Sequence, residues 1–536
     1  MDRRHSGGIS AVGSVTTIPA LVADRARRYP EAVAIAGPAG RLTFAELAEE
    51  AAAVTRAAIA SGLEPGDRVG LWAPNSVRWI VTALGMLGAG ATLVPISTRL
   101  RGPETAEVLA RSHAKAVCTV QEFLGADYPA MLAESGLALP DLEHLILLDD
   151  ARGENAADWD ISSWAGFLAP GAVIEPQSAI ERTAAVDPES ISDILFTSGT
   201  TGTPRGVLAT HRQTLEVFAR WSEVVTLRPR DRYLLANPFS HTFGYKAGIL
   251  ACLLRTATMV PMERFDAATA LQLIESERIT VLAGPPTLFT DLLAAGPDDY
   301  LLGSLRLAGT GGSTIPAELV RRIREDLRVP AVFTAYGLTE SIGVVSICPP
   351  DSPAELAADT VGKPLPGSEI RIVDREGKPL ETGEPGEVTV RGPNVMYGYL
   401  DDPEATAAAI DPDGFLHTGD IGTLDSDGYL RITDRLKDMF IVGGFNAYPA
   451  EIERVLLRHP DIRDVAVIGV PDERLGEVGR AYVVPVAGAA TDPAPIIEWS
   501  RARLAGYKVP REIVFADDLP RNAGGKVLKQ RLRDPD

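Results

Sequence analysis

The stretch DILFTSGTTGTPRGV, residues 193–207, passes from an apolar run into a loop of hydroxyl-bearing residues and glycines. Ile194, Leu195 and Phe196 predict the end of a buried strand. The loop offers five side-chain hydroxyls and two bare glycine backbones, at Thr197, Ser198, Gly199, Thr200, Thr201, Gly202 and Thr203. Small residues let a backbone approach a polyanion closely, and successive N–H groups can form an anion-binding concavity. Taken alone, the stretch fits either a phosphate-binding loop or a polar surface turn, and no Gly-x-x-x-x-Gly-Lys-Ser/Thr register of a Walker A motif fits it.

Length and composition indicate a globular chain of more than one domain. Its 536 residues exceed what one hydrophobic core normally serves. With 45% hydrophobic and 23% charged residues, the composition is that of a soluble globular protein. The formal net charge of −20 at pH 7 argues against non-specific binding to nucleic acid or anionic lipid. A phosphate-bearing substrate would therefore need a locally positive site within an acidic protein.

Cysteine usage and hydropathy favour a reducing compartment and no membrane span. Cys118, Cys252 and Cys348 are far apart and lack Cys-x-x-Cys spacing, so neither a disulfide framework nor a zinc site is expected. Residues 9–22 are interrupted by Ser, Thr and Pro and lack the apolar core of a signal peptide. No apolar stretch reaches the roughly 18 residues that a transmembrane helix needs. The sequence thus predicts a cytoplasmic protein with no transmembrane segment.

The predicted pattern of secondary structure changes twice along the chain. Strand and helix patterns alternate up to about residue 350, which predicts an α/β architecture with largely parallel sheets. Residues 150–190 are rich in Pro, Ala and Asp and are expected to be mostly loop. From about residue 365, short alternating runs between Gly/Pro turns predict a small antiparallel β subdomain. From about residue 437 a second unit follows, with a βαβ-like pattern.

Six further strings follow the first in a fixed order: LAGTGGSTIP at 307–316, YGLTE at 336–340, DGFLHTGD at 413–420, RITDRLKD at 431–438, MFIVGGFNAYPAEIE at 439–453 and LPRNAGGK at 519–526. Together with the loop at 193–207 they resemble the adenylate-forming superfamily, which includes acyl-CoA synthetases, luciferases and the adenylation domains of peptide synthetases. The resemblance extends from about residue 17 to 530. Two positions depart from the family pattern, since Arg205 stands where Lys is usual and Gly524 where Ser is more common. Arg keeps the positive charge but brings a planar fork in place of a point charge.

The resemblance implies a large N-terminal adenylate-forming domain, residues 1–436, whose β-rich subdomain covers about 365–436. It also implies a small mobile α+β C-terminal domain, residues 437–536, with the hinge at Lys437.

The resemblance also assigns the binding of nucleotide and CoA. The string LAGTGGSTIP at 307–316 would line the adenine and acyl pocket with its backbone, Tyr336 would stack on the purine, and Asp420 would bind both ribose hydroxyls. The residues implied for cofactor binding are Thr197, Ser198, Gly199, Thr200, Thr201, Gly202, Gly311, Gly312, Tyr336, Gly337, Asp420, Ile432, Arg435, Gly443, Gly444, Tyr507 and Arg511. Among these, Gly443 and Gly444 would border the pantetheine tunnel, while Tyr507 and Arg511 would lie near the CoA phosphates.

Four residues are implied for catalysis. Lys526 would reach the acyl carboxylate and the α-phosphate and neutralise the charge that develops there. Thr339 would bond a phosphate or acyl-phosphate oxygen, and Glu340, with Thr197, would hold Mg²⁺. His241 is the least specific of the four, because a lone His is more often structural; the matching family segment lines the acyl pocket. Lys246 in the same stretch would either meet a polar substrate group or face solvent.

The strings at 243–252 and 433–453 are most similar to those of actinobacterial FadD-type acyl-CoA ligases, which activate a propanoate side chain on steroid-ring fragments. The implied reaction adenylates a small-molecule carboxylic acid with Mg·ATP and then transfers the acyl group to CoA. Three alternatives remain open at this stage: loading of a carrier-protein thiol, activation of nitrite for diazotisation of an arylamine, and a non-catalytic binding homologue. Glu340, Asp420 and Lys526 argue against the last of these. No nucleic-acid partner is expected, and a homodimer is left open.

Overall fold

The computed structural model describes most of the chain. The described residues are 15–38, 40–149, 160–197, 204–311, 315–435, 438–442, 445–472, 474–501, 503–504, 506–521 and 527–533. They form a large N-terminal domain with two mainly parallel sheets, a four-stranded antiparallel sheet and a two-stranded antiparallel sheet, and a small C-terminal domain with a sheet of its own.

The strands are numbered in chain order. Those of the N-terminal part are β1 (Val33–Ile35), β2 (Leu42–Thr43), β3 (Arg68–Trp72), β4 (Thr92–Pro95), β5 (Ala114–Thr119), β6 (Glu122–Phe123), β7 (Ala126–Asp127), β8 (His144–Leu147), β9 (Asp160–Ser162), β10 (Ile191–Thr197), β11 (Arg205–Thr210), β12 (Arg232–Leu235), β13 (Thr258–Pro261), β14 (Val281–Gly284), β15 (Leu307–Gly311), β16 (Ala331–Tyr336), β17 (Ser346–Cys348), β18 (Lys363–Pro364), β19 (Glu369–Val373), β20 (Gly386–Arg391), β21 (Gly398–Tyr399), β22 (Leu416–Leu424) and β23 (Leu430–Arg435). The C-terminal part adds β24 (Phe440–Val442), β25 (Phe445–Ala447), β26 (Ile462–Asp472), β27 (Gly476–Pro485) and β28 (Glu512–Phe515).

The helices are numbered in the same way. They are α1 (Ile18–Arg28), α2 (Phe44–Ala60), α3 (Val77–Gly88), α4 (Gly102–Arg111), α5 (Tyr128–Ala133), α6 (Trp164–Leu168), α7 (Pro176–Ala184), α8 (His211–Val224), α9 (Thr242–Gly244), α10 (Ala251–Arg255), α11 (Ala267–Ser276), α12 (Pro286–Ala294), α13 (Ala317–Glu325), α14 (Ala354–Asp359), α15 (Pro403–Ala409), α16 (Pro449–Leu456), α17 (Pro493–Arg501) and α18 (Lys529–Arg533). Short 3₁₀ turns occupy Ala169–Val173, Pro297–Asp299 and Thr339–Ser341, and a π-helical turn occupies Tyr245–Leu250.

The first sheet has nine strands in the order β18-β17-β16-β15-β14-β12-β13-β1-β2. Its central strands, from β16 to β1, are all parallel. Neighbouring residues of these strands, such as Leu234 and Leu235, belong to two different apolar clusters. The sheet is therefore buried on both faces, which explains the nearly continuous apolar runs in its strands.

The second sheet has eight strands in the order β21-β11-β10-β4-β3-β5-β8-β9. The strands from β10 to β9 are parallel, while β10 and β11 form an antiparallel hairpin. Leu71 and Leu93 of this sheet share one apolar cluster with Leu235 and Phe333 of the first sheet. The largest part of the core thus lies between the two sheets.

Helices α2 and α3 show how this core is packed. Thr43 begins α2 with a capping box, in which its hydroxyl accepts the N–H of Glu46 and the Glu46 carboxylate accepts the N–H of Thr43. A Cβ at Gly85 of α3 would lie 2.4 Å from the Cβ of Val54, so only glycine permits this close approach. Thr55 then donates its hydroxyl hydrogen to the carbonyl of Gly85 at 2.8 Å.

Asn75 joins the ends of both sheets. It follows β3 of the second sheet and is buried. Its amide nitrogen lies within hydrogen-bond distance of the carbonyls of Leu235, Asn237 and Met262, at 3.3, 2.8 and 3.1 Å, and its oxygen accepts the N–H of Phe239 at 2.8 Å. One side chain therefore fixes where the chain leaves β12 and β13 of the first sheet.

Two smaller sheets follow. Strands β19, β20, β22 and β23 form an antiparallel sheet, which agrees with the β-rich region expected from about residue 365. In the C-terminal part, β26 and β27 form a long antiparallel hairpin, with β24 and β25 beside it. The helix, two strands and helix expected in this unit correspond to α16, β26, β27 and α17, but the two strands are antiparallel to each other. The parallel βαβ arrangement is formed instead by β27, α17 and β28, a strand that the sequence pattern did not predict.

The expectation of a loop-rich stretch at 150–190 is wrong for its described part. Residues 160–186 include β9, α6 and α7, because Phe167 and Ala179 provide apolar contacts to the core in spite of the polar composition. Across the described ranges, no helix is long and apolar enough to cross a membrane.

Candidate active site

The predicted site residues of the first sheet lie at one edge of that sheet. Parallel strands place their carboxyl ends on the same side, which is where open α/β sheets bind ligands. Strand β12 leads to His241, β15 ends at Gly311, and β16 ends at Tyr336 and continues into the turn with Thr339 and Glu340. A Cβ at Gly311 would lie 2.5 Å from the carbonyl oxygen of Ala335, so glycine is required beside β16.

The phosphate-loop sequence begins at the end of β10 and reaches the start of β11. These two strands, here called the phosphate hairpin, pair as far as Thr197 opposite Arg205. The guanidinium of Arg205 lies 5.3 Å from the ring centroid of Tyr399 and 3.9 Å from a carboxylate oxygen of Asp402. The guanidinium of Arg205 is therefore within cation–π distance of the Tyr399 ring, a contact that Arg makes more often than Lys. Of the predicted loop residues, Ser198, Gly199, Thr200, Thr201, Gly202 and Thr203 lie outside the described residues.

Glu340 is held by a tyrosine that the sequence did not single out. It lies half-buried in the 3₁₀ turn Thr339–Ser341, and the hydroxyl of Tyr399 donates to its Oε1 at 3.0 Å. Burial raises the pKa of Tyr399, and the negative charge of Glu340 raises it further. The phenol therefore keeps its proton at neutral pH and remains a hydrogen-bond donor to the carboxylate. Tyr399 thus connects the phosphate hairpin, through its contact with Arg205, to Glu340.

The turn that carries Glu340 packs against the segment that carries His241. A Cβ at Gly337 would lie 2.2 Å from the carbonyl oxygen of Gly343, so the turn is very tight. Gly343 has a φ of +99°, and a Cβ there would lie 2.1 Å from a methyl carbon of Thr242. Both glycines are therefore required, and the turn contacts the residue next to His241.

His241 begins the segment that follows β12. Its Nδ1 accepts the N–H of Phe243 at 3.1 Å and so caps α9. The side chain is exposed to solvent. Loss of hydration beside the protein lowers the pKa of the imidazole.

Tyr336 and Asp420 meet although their motifs are far apart in sequence. The hydroxyl of Tyr336, at the end of β16, donates to Oδ2 of Asp420 in β22. The side chain of Asp420 is only 4% exposed, so a buried carboxylate is fixed beside an aromatic ring. In the β22–β23 ladder, Asp420 lies opposite Arg435, whose side chain lies outside the described atoms, and Gly422 lies opposite Ile432. The carbonyl of Ile432 accepts a hydrogen bond from Arg454 of α16 at 3.2 Å, which links this sheet to the C-terminal part.

Lys526 lies outside the described residues, as do Gly312, Lys437, Gly443 and Gly444. The described residues on either side of it pair with each other, because an antiparallel bridge joins Arg521 to Val527. Ion pairs hold the same two segments, since Arg521 contacts Asp464 and Lys529 lies 2.7 Å from Glu453.

The two residues predicted near the CoA phosphates both belong to the small domain. Tyr507 is half-buried and packs against the apolar cluster of its sheet, while Arg511 is exposed and donates its backbone N–H to Gly479 at 2.8 Å.

Lys246 corrects an expectation from the sequence. Its side chain is 1% exposed and its ammonium lies 2.7 Å from a carboxylate oxygen of Asp193, so it neither faces solvent nor lies open to a substrate. Sequence reasoning missed Asp193, Asn75 and Tyr399, because their partners are distant in the chain. A charged Asp within the apolar run that begins β10 was the one local signal that a buried partner exists.

Comparison with known proteins agrees with this arrangement. The model of the AMP-binding enzyme family matches residues 22–400, and that of the AMP-binding enzyme C-terminal domain matches residues 451–526. The chain is 48% identical over 525 residues to a protein of Mycobacterium tuberculosis named 3-[(3aS,4S,7aS)-7a-methyl-1,5-dioxo-octahydro-1H-inden-4-yl]propanoyl:CoA ligase, covering 98% of this chain and 99% of that one. It is 45% identical to the Rhodococcus jostii protein of the same name, covering 97% and 98% of the two chains.

A solved structure extends the comparison to the fold. The crystal structure of ATP-bound MatB from Rhodopseudomonas palustris superposes with a TM-score of 0.82 at 30% identity, covering 97% of this chain and 98% of that chain. The fold class and the resemblance predicted from the sequence are thereby confirmed. The chain belongs to the AMP-binding enzyme family, and it is an ATP-dependent, AMP-forming acid–thiol ligase.

Proposed function

We propose that the chain activates a propanoate side chain carried by a fused bicyclic ketone and transfers the acyl group to CoA. The observation that carries the proposal is the convergence of Glu340, Asp420 and His241 around one sheet edge beside the phosphate hairpin. The choice of acid rests on the names of two relatives, at 48% and 45% identity over nearly the whole chain.

The nucleotide would lie along the edge from β15 to β22. Tyr336 would offer its ring to the adenine, and the carboxylate of Asp420 would accept hydrogen bonds from the ribose hydroxyls. The hydrogen bond between Tyr336 and Asp420 supports this pairing, because it holds ring and carboxylate in one fixed relation. Gly311, Gly312 and Gly337 would let the backbone approach the base, Ile432 and Arg435 would border the ribose, and residues 197–202 would surround the phosphates.

Glu340 and Thr197 together fit a magnesium ion whose other ligands would come from the phosphates of ATP and from water. Glu340 presents a half-buried carboxylate oriented by Tyr399, and Thr197 ends the neighbouring hairpin strand. Among the described residues, no group of three or more His, Cys, Asp or Glu side chains could hold a metal ion. Mg²⁺ commonly binds through one or two carboxylates together with phosphates and water, so these two residues suffice. The ion, when bound, would neutralise charge on the phosphates.

In the adenylation step, a carboxylate oxygen of the acid attacks the α-phosphorus of ATP, and pyrophosphate leaves. Thr339 would donate to an oxygen of the reacting phosphate, and Lys526 would neutralise the charge that develops on it. In the second step, the CoA thiolate attacks the acyl carbon and AMP leaves. We propose that the C-terminal unit, from a hinge at Lys437, moves between the steps, so that Gly443, Gly444, Tyr507 and Arg511 guide CoA.

The test uses purified enzyme, Mg·ATP and a panel of carboxylic acids. Pyrophosphate release is measured first without an acceptor and then with CoA, with a carrier protein, and with nitrite plus an arylamine. We expect the highest kcat/KM with a propanoate on a fused bicyclic ketone, and a thioester only when CoA is present. Preference for a straight-chain fatty acid or for ferulate would refute the choice of acid, while product formed only with another acceptor would refute the choice of CoA.

A further inference from the structure

Asp193 and Lys246 form an ion pair inside the core. The ammonium nitrogen of Lys246 lies 2.7 Å from Oδ2 of Asp193, and the two side chains are 1% and 0% exposed. Removing two charges from water costs so much that a buried ion pair rarely adds net stability compared with apolar side chains of the same volume. A pair of this kind therefore calls for a role other than stabilising the fold.

Further polar groups complete the pair. The hydroxyl of Ser192 donates to Oδ1 of Asp193 at 2.8 Å, and the ammonium of Lys246 donates to the hydroxyl of Thr214 at 3.4 Å. The hydroxyl of Tyr245 is close enough to Asp193 for the carboxylate to raise its pKa, in addition to the effect of burial. Ser192 and Thr214 thus give each member of the ion pair one further polar partner inside the apolar core.

The pair joins two functional segments. Asp193 lies on β10, four residues before Thr197, and because side chains alternate along a strand both point to the same face. That face also carries Val207 and Ala209 of β11, which belong to the apolar cluster between the two sheets. Lys246 comes from the segment 237–250, which leaves β12 of the other sheet and carries His241.

The local backbone of Lys246 is unusual. Residues Tyr245–Leu250 form a π-helical turn, a wider turn that is rare and occurs frequently at functional sites. At the start of the segment, Asn75 binds the backbone at Asn237 and Phe239. The segment 237–250 is therefore held at its start by the side-chain amide of Asn75 and further along by the ion pair of Lys246. The partner in that ion pair, Asp193, belongs to β10 of the phosphate hairpin.

We propose that Asp193 and Lys246 are positioning residues for adenylation: their ion pair fixes the segment 237–250, and with it the acid, relative to the phosphate loop. The inference rests on the proposed function, in which His241 of this segment borders the acid. Neither residue touches the substrate, because both are enclosed by protein. Misplacement of a reacting group by about 1 Å can slow a reaction on the order of 100-fold, so an anchor between the two binding segments affects the rate directly.

The decisive variant is the double substitution Asp193→Asn with Lys246→Met, which removes both charges while nearly keeping the shapes. Each single substitution leaves one buried charge without a partner and should lower the melting temperature. The double variant should regain most of that loss. Its kcat/KM for acid in pyrophosphate release should nevertheless stay about 10- to 100-fold below wild type, while conversion of supplied acyl-AMP to thioester should change by less than about threefold.

A second measurement separates positioning from general loosening. In the wild type, an ATP analogue that cannot transfer its α-phosphate should increase the affinity of the enzyme for the acid, because the ion pair joins β10 to the segment 237–250. In the double variant this increase in affinity should disappear. Asp231→Asn is the matched control. Asp231 is also buried and pairs with Arg306, but at the amino end of β12. It should lower the melting temperature and leave the coupling between ATP analogue and acid unchanged.

The outcomes are distinct. A folded double variant with wild-type kcat/KM and coupling would show that the pair is only structural and would overturn the inference. If the double variant does not fold, Asp193→Glu takes its place, because it keeps the negative charge and moves it by the length of one methylene group. A KM for the acid equal to that of the wild type in Asp193→Glu would also overturn the inference. Absence of pyrophosphate release from the wild type with every acid would instead refute the proposed function.

Discussion

At the scale of single residues, the site depends on hydrogen bonds between side chains that come from different motifs. Tyr399 orients Glu340, and Tyr336 orients Asp420. In both pairs a phenol donates to a carboxylate, and a hydrogen bond to a charged group contributes more than one between neutral groups. The carboxylates are therefore oriented before a nucleotide binds, so less freedom is lost on binding.

Replacing Tyr399 by Phe should impair the metal-dependent step. The variant removes a hydrogen bond to a carboxylate, a change of about 1.5–3 kcal/mol, so kcat for pyrophosphate release should fall by about 10- to 100-fold. The Mg²⁺ concentration that gives half-maximal activity should rise. Steady-state rates across a magnesium titration measure both effects. Tyr397→Phe is the control, because that side chain is 64% exposed; an equal effect of the two substitutions would contradict the role of Tyr399.

Asp420→Asn should weaken the binding of ATP without changing which acid the enzyme prefers. The carboxylate meets the ribose in ground and transition states alike, so its loss should raise KM for ATP by about 10- to 100-fold and leave kcat less affected. The KM for ATP and the acid profile are measured in the same variant. A changed order of acid preference would place Asp420 in the acid pocket instead.

Lys526→Ala should separate the two half-reactions. Removing one group that stabilises developing charge commonly costs about 3–4 kcal/mol, so pyrophosphate release should fall by about 10²- to 10³-fold. Conversion of supplied acyl-AMP to acyl-CoA should remain close to wild type. Pyrophosphate release at the wild-type rate would rule out this assignment.

At the scale of elements, helix α8 is joined to the N-terminal helix α1 through a histidine. His211, the first residue of α8, is buried, and its Nδ1 accepts the backbone N–H of Ile18 at 3.3 Å. A backbone N–H can only donate, so this nitrogen carries no proton in the folded protein. Burial lowers the pKa of His211 to about 4. The contact is therefore stable only while the imidazole is neutral.

Acid should loosen this contact. Because the folded pKa lies below the ordinary value near 6.5, the unfolded state binds the extra proton first, and stability falls as pH drops from about 6.5 towards 4. The loss should approach roughly 2 kcal/mol by pH 5, and hydrogen exchange in α1 should rise with it. His211→Gln should flatten this part of the stability profile. An unchanged profile in the variant would show that another group is responsible.

The elements also show what sequence alone could and could not predict. The alternation of strands and helices predicted the parallel sheets, because that alternation is a local signal along the chain. The pairing of Asp193 with Lys246, of Glu340 with Tyr399 and of Asn75 with three carbonyls depends on how distant elements pack, and no local pattern records it. The hairpin of β26 and β27 was missed for the same reason, since strand direction is fixed by pairing and not by composition.

At the scale of the whole molecule, the proposed hinge at Lys437 should control movement and not bond chemistry. Proline fixes φ near −65° and restricts the preceding residue, so Lys437→Pro should hold one arrangement of the two units. If the adenylating arrangement is held, pyrophosphate should be released in a single turnover while acyl-CoA formation stops. Both half-reactions are measured separately in the folded variant, and equal loss of both would place the hinge elsewhere.

The pairing of β1 with β13 has a consequence for synthesis on the ribosome. Ile35 lies beside Met259 in the nine-stranded sheet, so the first strands emerge long before their partner. The eight-stranded sheet is likewise completed only by β21, where Tyr399 pairs with Val207. Contacts so distant in sequence form slowly and leave strand edges exposed in the meantime. Nascent chains shorter than about 260 residues should therefore bind chaperones, and fragments cut before β21 should aggregate when expressed alone.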